Sequence, residues 1–347
     1  MKGAVYDAKG GIEWKEVPKP KIEDPTDAIV RITKTTVCGT DLHILRGDVP
    51  SVTEGRVLGH EGVGVVEEVG SSVTRIKPGD RVVISAISSC GSCYQCKKGL
   101  GCHCEAKDGG WVLGNLLNGT QAHYTRVPHA DNGLHVIPDG VDEEAAVMLS
   151  DILPTGFEVG VLAGNVQPGS NVVIVGAGPV GLAALVTAQF YSPASIIVID
   201  TDDPRLEAAE RLGATRTINP SKEDYAAVVK ELTDGYGADT VIECVGIPET
   251  FDMCQKLVAK GGNIANIGVH GTAVDLHLQD LWNANIVIST GYVTTNSTQM
   301  LMKTVASGKI RPEEFVTHHF ALDDIEEAYR VFGAAAKNKA LKLILSA

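Results

Sequence analysis

The chain is short of positive charge. Against 43 Asp and Glu it carries only 30 Lys and Arg, a formal net charge of −13. A nucleic acid or an anionic membrane needs a basic face, so neither is expected as the main partner. Long apolar runs are missing too. Gly or Pro breaks the longest hydrophobic stretches before they could span a bilayer. The start, Met1-Lys2-Gly3-Ala4-Val5-Tyr6-Asp7, lacks the apolar run of a signal peptide, and a cytoplasmic location is the expectation. In that compartment the eight cysteines need a reason other than disulfides. Internal repeats and low-complexity tracts are also absent. What is present is an ordinary globular composition, 44% hydrophobic and 21% charged. At 347 residues the chain is too long for one simple core and comfortable for two domains.

Two patterns divide it. To about residue 150 the sequence reads as short strands and turns. Candidates are Ala28 to Thr33, Gly62 to Val69, and Arg81 to Ile84 after the turn Lys77-Pro78-Gly79-Asp80. Such spacing predicts an all-β domain of Greek-key or barrel type. After Asp151, apolar strands alternate with helices. The strands are Asn171 to Val175, Ser195 to Asp200, Asp239 to Val245, Asn263 to Ile267 and Ile286 to Ser289. Helices are expected from Val180 to about Tyr191 and from Pro204 to Leu212, the latter closed by Gly213. This alternation predicts a parallel sheet covered on both faces. The tail adds an amphipathic helix from Asp323 to about Ala336 and a strand from Leu341 to Leu345.

Gly176-Ala177-Gly178-Pro179-Val180-Gly181 is a G-x-G-x-x-G turn. Alone it is a weak signal. Between a strand and a helix it predicts a dinucleotide site, because absent side chains let a pyrophosphate approach free N–H groups at the helix start. Asp200 ends the second strand, where a carboxylate binds the ribose hydroxyls and repels the extra phosphate of NADP. Asp202 and Asp203 add negative charge, and Arg205 is the one close cation. NAD is favoured over NADP.

Cys90, Cys93, Cys96 and Cys104 form C-x2-C-x2-C-x7-C. Four thiolates in a short Gly-containing loop match a closed, structural zinc site. Iron–sulfur ligation ranks below it, and Cys102, beside His103, is an alternative fourth ligand to Cys104. Cys244, in an expected buried strand, and Cys254, in the following helix, read as core residues.

Cys38-Gly39-Thr40-Asp41-Leu42-His43 and Gly59-His60-Glu61-Gly62-Val63-Gly64 stand upstream of that loop. A lone Cys or His is more often structural than a ligand. The four motifs together, in this order, resemble the zinc-dependent medium-chain dehydrogenase/reductase family, which includes alcohol, sorbitol and threonine dehydrogenases. The resemblance covers nearly the full length. It implies an α/β protein: a GroES-like β-barrel catalytic domain formed by 1–152 and 293–347, and a doubly wound Rossmann domain formed by 153–292. It implies two zinc ions per subunit, with NAD as cofactor.

Cys38 and His60 resemble the first two ligands of the catalytic zinc. Glu61 resembles the adjacent carboxylate that can enter the metal shell. The third ligand in many members is a Cys; here Asp151 stands at that position, as in the secondary-alcohol and formaldehyde dehydrogenase subgroups. A helix N-cap is the alternative reading of Asp151, ranked below the ligand role because of the family match. The resemblance implies that zinc lowers the pKa of the alcohol and that hydride passes to the nicotinamide. Thr40 then resembles the hydroxyl that takes the proton first, and His43 the distal relay beyond the nicotinamide ribose. Thr155 resembles the residue behind the nicotinamide ring. Ile267-Gly268-Val269 resembles the strand end holding the carboxamide, with Val245 on the preceding strand end also counted as cofactor-binding. Trp111 resembles a substrate-pocket residue of the secondary-alcohol subgroup, a core Trp being the equal alternative. The expected substrates are short or medium secondary alcohols and their ketones. Aldehyde or polyol oxidation is the alternative within the family, and an inactive NAD-binding homologue the alternative outside enzymes. The family forms dimers and tetramers, and a tetramer is expected.

Overall fold

The computed structural model describes residues 1–347. The chain divides into two compact units, Met1–Pro154 with Thr294–Ala347, and Thr155–Val293. No helix is long and apolar enough to cross a membrane.

The first unit is built on a seven-stranded, mainly antiparallel sheet. Its hub is the strand Ala28–Thr35, whose inward Ala28, Val30 and Ile32 are fully buried. The hub pairs antiparallel with Gly62–Val69 and with Tyr124–Val127. Its last residues pair with the terminal strand Lys342–Ser346, Thr35 opposite Leu345 and Lys34 opposite Ser346. That pairing brings the C-terminal segment into the sheet of the first unit. The tail helix is shorter than its amphipathic pattern predicts: Ile325–Gly333, with a separate turn Ala335–Asn338. The break falls at Ala334, whose φ of −114° and ψ of 42° lie outside the helical region.

The second unit holds six parallel strands: β1 (Asn171–Val175), β2 (Ser195–Ile199), β3 (Arg216–Ile218), β4 (Ala238–Glu243), β5 (Val258–Asn266) and β6 (Val287–Thr290). Their order is β3-β2-β1-β4-β5-β6. β1 and β2 are almost entirely buried, as strands covered on both faces must be. The strand order reverses beside β1, and in such sheets ligands bind beyond the carboxyl ends of the strands at that point. Cys244 lies just past the end of β4 rather than within it. The strand ends there because the buried Glu243 carboxylate accepts hydrogen bonds from the Val245 and Gly246 amides, which turns the chain. Cys254 is fully buried in helix Pro248–Leu257.

Candidate active site and metal centres

Cys38, His60, Glu61 and Asp151 place one ligand atom each within 4.8 Å of one another. Local structure explains how. Cys38 precedes helix Gly39–Leu45, and the Asp41 carboxylate in its first turn accepts the Cys38 amide at 2.9 Å. His60 and Glu61 lead directly into strand Gly62–Val69. Ser150 Oγ accepts the Gly62 amide at 3.2 Å and donates to the Gly62 carbonyl at 3.1 Å. This small reciprocal clamp sets Asp151 beside the His60-Glu61 segment. The Glu61 carbonyl is held by the Thr35 and Thr120 hydroxyls at 2.7 and 2.8 Å.

The ligand atoms face inward. His60 Nε2 lies 3.6 Å from Asp151 Oδ2, while His60 Nδ1 faces Asp41 Oδ1 at 3.8 Å. Neither Nδ1 nor that Asp41 oxygen has a hydrogen-bond partner. Burial pulls the His60 imidazole toward neutrality, but the Cys38 sulfur, Asp151 and Asp41 outweigh it and hold the group well above the usual histidine range. A divalent cation would neutralise the same field. Glu61 binds the buried Lys342 ammonium through Oε2, and both side chains are 1% exposed. Its other oxygen, Oε1, is buried without a partner. Burial lifts the Glu61 carboxyl against the opposing pull of Lys342. A sulfur, an imidazole and carboxylates in one dry cluster are a zinc-competent donor set.

Three further side chains singled out in the sequence have definite contacts. Thr40 Oγ1 is 3.7 Å from Cys38 Sγ. Trp111 packs edge-on to the His60 ring with centroids 5.9 Å apart, and its indole N–H donates to the Leu113 carbonyl at 3.1 Å. His43 Nδ1 pairs with Asp48 Oδ2 at 2.9 Å, which leaves Nε2 for another partner.

Cys90, Cys93, Cys96 and Cys104 form the second cluster, again within 4.8 Å. Cys90 Sγ and Cys96 Sγ are 4.0 Å apart, and Cys93 Sγ and Cys104 Sγ 3.9 Å. Tetrahedral zinc with bonds of about 2.3 Å spaces its sulfurs about 3.8 Å apart. The amides of Ser92 and Cys93 donate to Cys90 Sγ, and the Cys90 amide donates to Cys104 Sγ. Desolvation raises the Cys90 thiol, but the Ser92 hydroxyl and the Ser92 and Cys93 amides bring it down to about 6. Burial and the adjacent Cys93 push the Cys96 thiol up to about 12. Of the two candidate fourth ligands, geometry selects Cys104; Cys102 is buried in the turn Gly101–His103, outside the cluster.

In the second unit, the three glycines after β1 differ in what they do. Gly176 has a φ of +101°, a conformation that side chains rarely allow. A Cβ on Gly181 would stand 1.9 Å from the Gly176 carbonyl oxygen, so the helix can pack only without one. Gly178 needs neither. It caps helix Pro179–Ala188 with a φ of −70°, and a Cβ there would meet nothing within 4 Å. The open space at the helix start is a cradle that fits a pyrophosphate. Val180 lies in the first turn of that helix. Asp200 follows β2; Oδ2 accepts the Ala177 amide at 2.7 Å and Oδ1 the Asp202 amide at 2.9 Å. Arg205 sits 4.0 Å from Asp200 and 3.9 Å from Asp202. Val245 and Val269, beyond β4 and β5, are exposed, and the Gly246 and Gly268 turns approach closely. Ile267 N–H donates to the Glu243 carbonyl at 2.8 Å. Thr155 opens this unit, just before the π-helical turn Gly156–Leu162.

Asp41, Ser150, Lys342 and Glu243 escaped the sequence reading. Only Lys342 carried a local signal, a lone charge in the apolar run Leu341-Lys342-Leu343-Ile344-Leu345. The others look like ordinary polar residues until their partners are known.

Known proteins match this architecture. Residues 24–139 match the family described as alcohol dehydrogenase GroES-like domain, and residues 179–307 the one described as zinc-binding dehydrogenase. The chain is 36% identical to an alcohol dehydrogenase of Cupriavidus necator, over 99% of this chain and 98% of that one. It is 33% identical to an NADP-dependent isopropanol dehydrogenase of Thermoanaerobacter brockii, over 95% of both. Among solved structures, the zinc-dependent alcohol dehydrogenase 2 from Streptococcus pneumonia is 53% identical, with a TM-score of 0.95, over 100% of this chain and 98% of that one. Likeness along the whole length, with both domains in order, means that the chain belongs to the zinc-dependent medium-chain alcohol dehydrogenase family and is a zinc-dependent alcohol oxidoreductase.

Proposed function

We propose that this enzyme transfers hydride between short- to medium-chain secondary alcohols and NAD, with aldehydes and primary alcohols within its range. The observation that carries the reading is the cluster of buried Cys38 and His60 with half-buried Asp151, and Trp111 against the His60 ring. Cys38, His60 and Asp151 hold the catalytic metal, with Glu61 as the displaceable fourth group. Cys90, Cys93, Cys96 and Cys104 hold the structural one. Zinc bound at the first set supplies a Lewis acid that lowers the pKa of an alcohol hydroxyl.

The protein's own groups do the rest. Thr40 Oγ1 accepts the alcohol's proton as its own hydroxyl proton leaves toward His43. His43 receives it at Nε2, the nitrogen left available by the Asp48 contact. Trp111 narrows the pocket to small apolar substituents. Asp200 and Arg205 frame the adenosine ribose; Val245 and Ile267-Gly268-Val269 receive the nicotinamide end, and Thr155 backs its ring. The Asp200 carboxylate supports NAD over NADP by repelling a 2′-phosphate.

The test is a panel of 2-butanol, sorbitol and formaldehyde with each cofactor. The expected result is a higher kcat/KM for 2-butanol, and NAD preferred by at least about tenfold, or ~1.4 kcal/mol. Faster polyol turnover, or a preference for NADP, would reject the corresponding half of the reading.

We further propose a homotetramer. β6 is the edge of its sheet, with Val287 and Thr290 exposed. Pairing with a second copy would satisfy its backbone groups. Light scattering that returns a monomer or a dimer mass contradicts the tetramer.

A further inference from the structure

Behind His60 runs a chain of buried polar contacts that ends at Tyr329. The Tyr329 hydroxyl donates to Gln121 Oε1 at 2.7 Å. Gln121 Nε2 donates to the Thr36 carbonyl at 3.1 Å and to Asp41 Oδ2 at 3.0 Å. Asp41 Oδ1 faces His60 Nδ1, and His60 Nε2 faces Asp151. All these side chains except that of Asp151 are at most 5% exposed.

The chain has a direction. A side-chain amide offers two N–H donors and one acceptor oxygen. Both acceptors on the inner side, a carbonyl and a carboxylate, require the NH2 group. A flipped amide would set Oε1 against two oxygens. The outer side must then supply a donor, and Tyr329 is that donor. The phenol thus selects the amide orientation, the amide holds the Asp41 carboxylate, and Asp41 faces the ring nitrogen of His60 that points away from the metal set. Orientation of that ring decides where Nε2 aims.

We propose that Gln121 and Tyr329 are positioning residues for the catalytic metal, acting through Asp41 on His60. This rests on the assignment of Cys38, His60 and Asp151 as its ligands. Residues behind metal ligands alter affinity by about 10- to 100-fold when removed. Tyr329 lies in helix Ile325–Gly333, so the proposal also makes that helix part of the metal site's support.

The experiment measures zinc release from the whole enzyme to a chromophoric chelator, together with the visible spectrum of the cobalt-substituted protein. The variants are Tyr329→Phe, which keeps the ring, and Gln121→Leu. In the wild type two release phases are expected, and the four-cysteine zinc provides the internal control. The proposal expects the catalytic-site phase to accelerate by about tenfold or more in Gln121→Leu and several-fold in Tyr329→Phe. The four-cysteine phase should keep its rate, and the cobalt bands should shift. Unchanged release in Tyr329→Phe overturns it. Equal acceleration of both phases also overturns it, because that is general loosening of the fold. A wild type with no catalytic-site phase would instead remove the ligand assignment on which the proposal stands.

Discussion

Asp151→Ala is expected to lose the catalytic zinc and alcohol turnover together. Metal content should fall from about two ions per subunit to about one, because the closed four-cysteine site is independent of Asp151. Asp151 Oδ2 lies 3.6 Å from His60 Nε2 and belongs to the same ligand cluster. A Lewis acid contributes several kcal/mol to a reaction of this type, so turnover should drop by at least about a thousandfold. Asp151→Cys is the informative companion. A thiolate is also a competent zinc ligand, so metal and part of the activity should be retained. Metal analysis and 2-butanol oxidation on the same samples decide the matter. Near-normal zinc and turnover in Asp151→Ala would reduce Asp151 to a turn residue before helix Ile152–Thr155, and Glu61 would become the third ligand.

Gly178→Val should abolish tight dinucleotide binding without unfolding the protein. An added Cβ meets no atom within 4 Å, so the folded chain has room for it. The loss at the N-cap of helix Pro179–Ala188 is about 1 kcal/mol. The valine would, however, fill the space that a pyrophosphate needs and cover the amides at the helix start. Affinity for NADH, followed by fluorescence titration, is expected to fall by about 100-fold or more, ~2.7 kcal/mol. Gly181→Ala is the structural contrast. Its Cβ would stand 1.9 Å from the Gly176 carbonyl oxygen, and forced repacking costs about 1–3 kcal/mol. That variant should lose thermal stability along with binding. Wild-type NADH affinity in Gly178→Val would mean that the cofactor does not use this turn.

Much of the second unit was legible because its signals are local. Strands buried on both faces are written as continuous apolar runs, which is why β1 and β2 stood out. The short β3, only Arg216–Ile218, has too few residues to show a period. Helix Tyr225–Leu232 buries only Val229 fully, so its pattern was faint. The end of β4 was misjudged by two residues, because Cys244 and Val245 continue the apolar run while the Glu243 carboxylate turns the backbone. The choice between Cys102 and Cys104 needed coordinates, since both spacings close a loop and only one sulfur reaches the cluster.

The sequence by itself determined the parts whose partners are near in the chain. These are the first three cysteines of the loop, Cys90, Cys93 and Cys96, and the glycine turn between strand and helix, where spacing and backbone preference suffice. Tertiary structure alone decided what stands behind the active site. Lys342 meets Glu61 across 281 residues, Tyr329 meets Gln121 across 208, and Ser150 meets Gly62 across 88. No local preference encodes those contacts. The Lys342 contact exists because the terminal strand pairs with Lys34 and Thr35 at the end of the hub strand, close to Val37, and so carries a buried cation to Glu61.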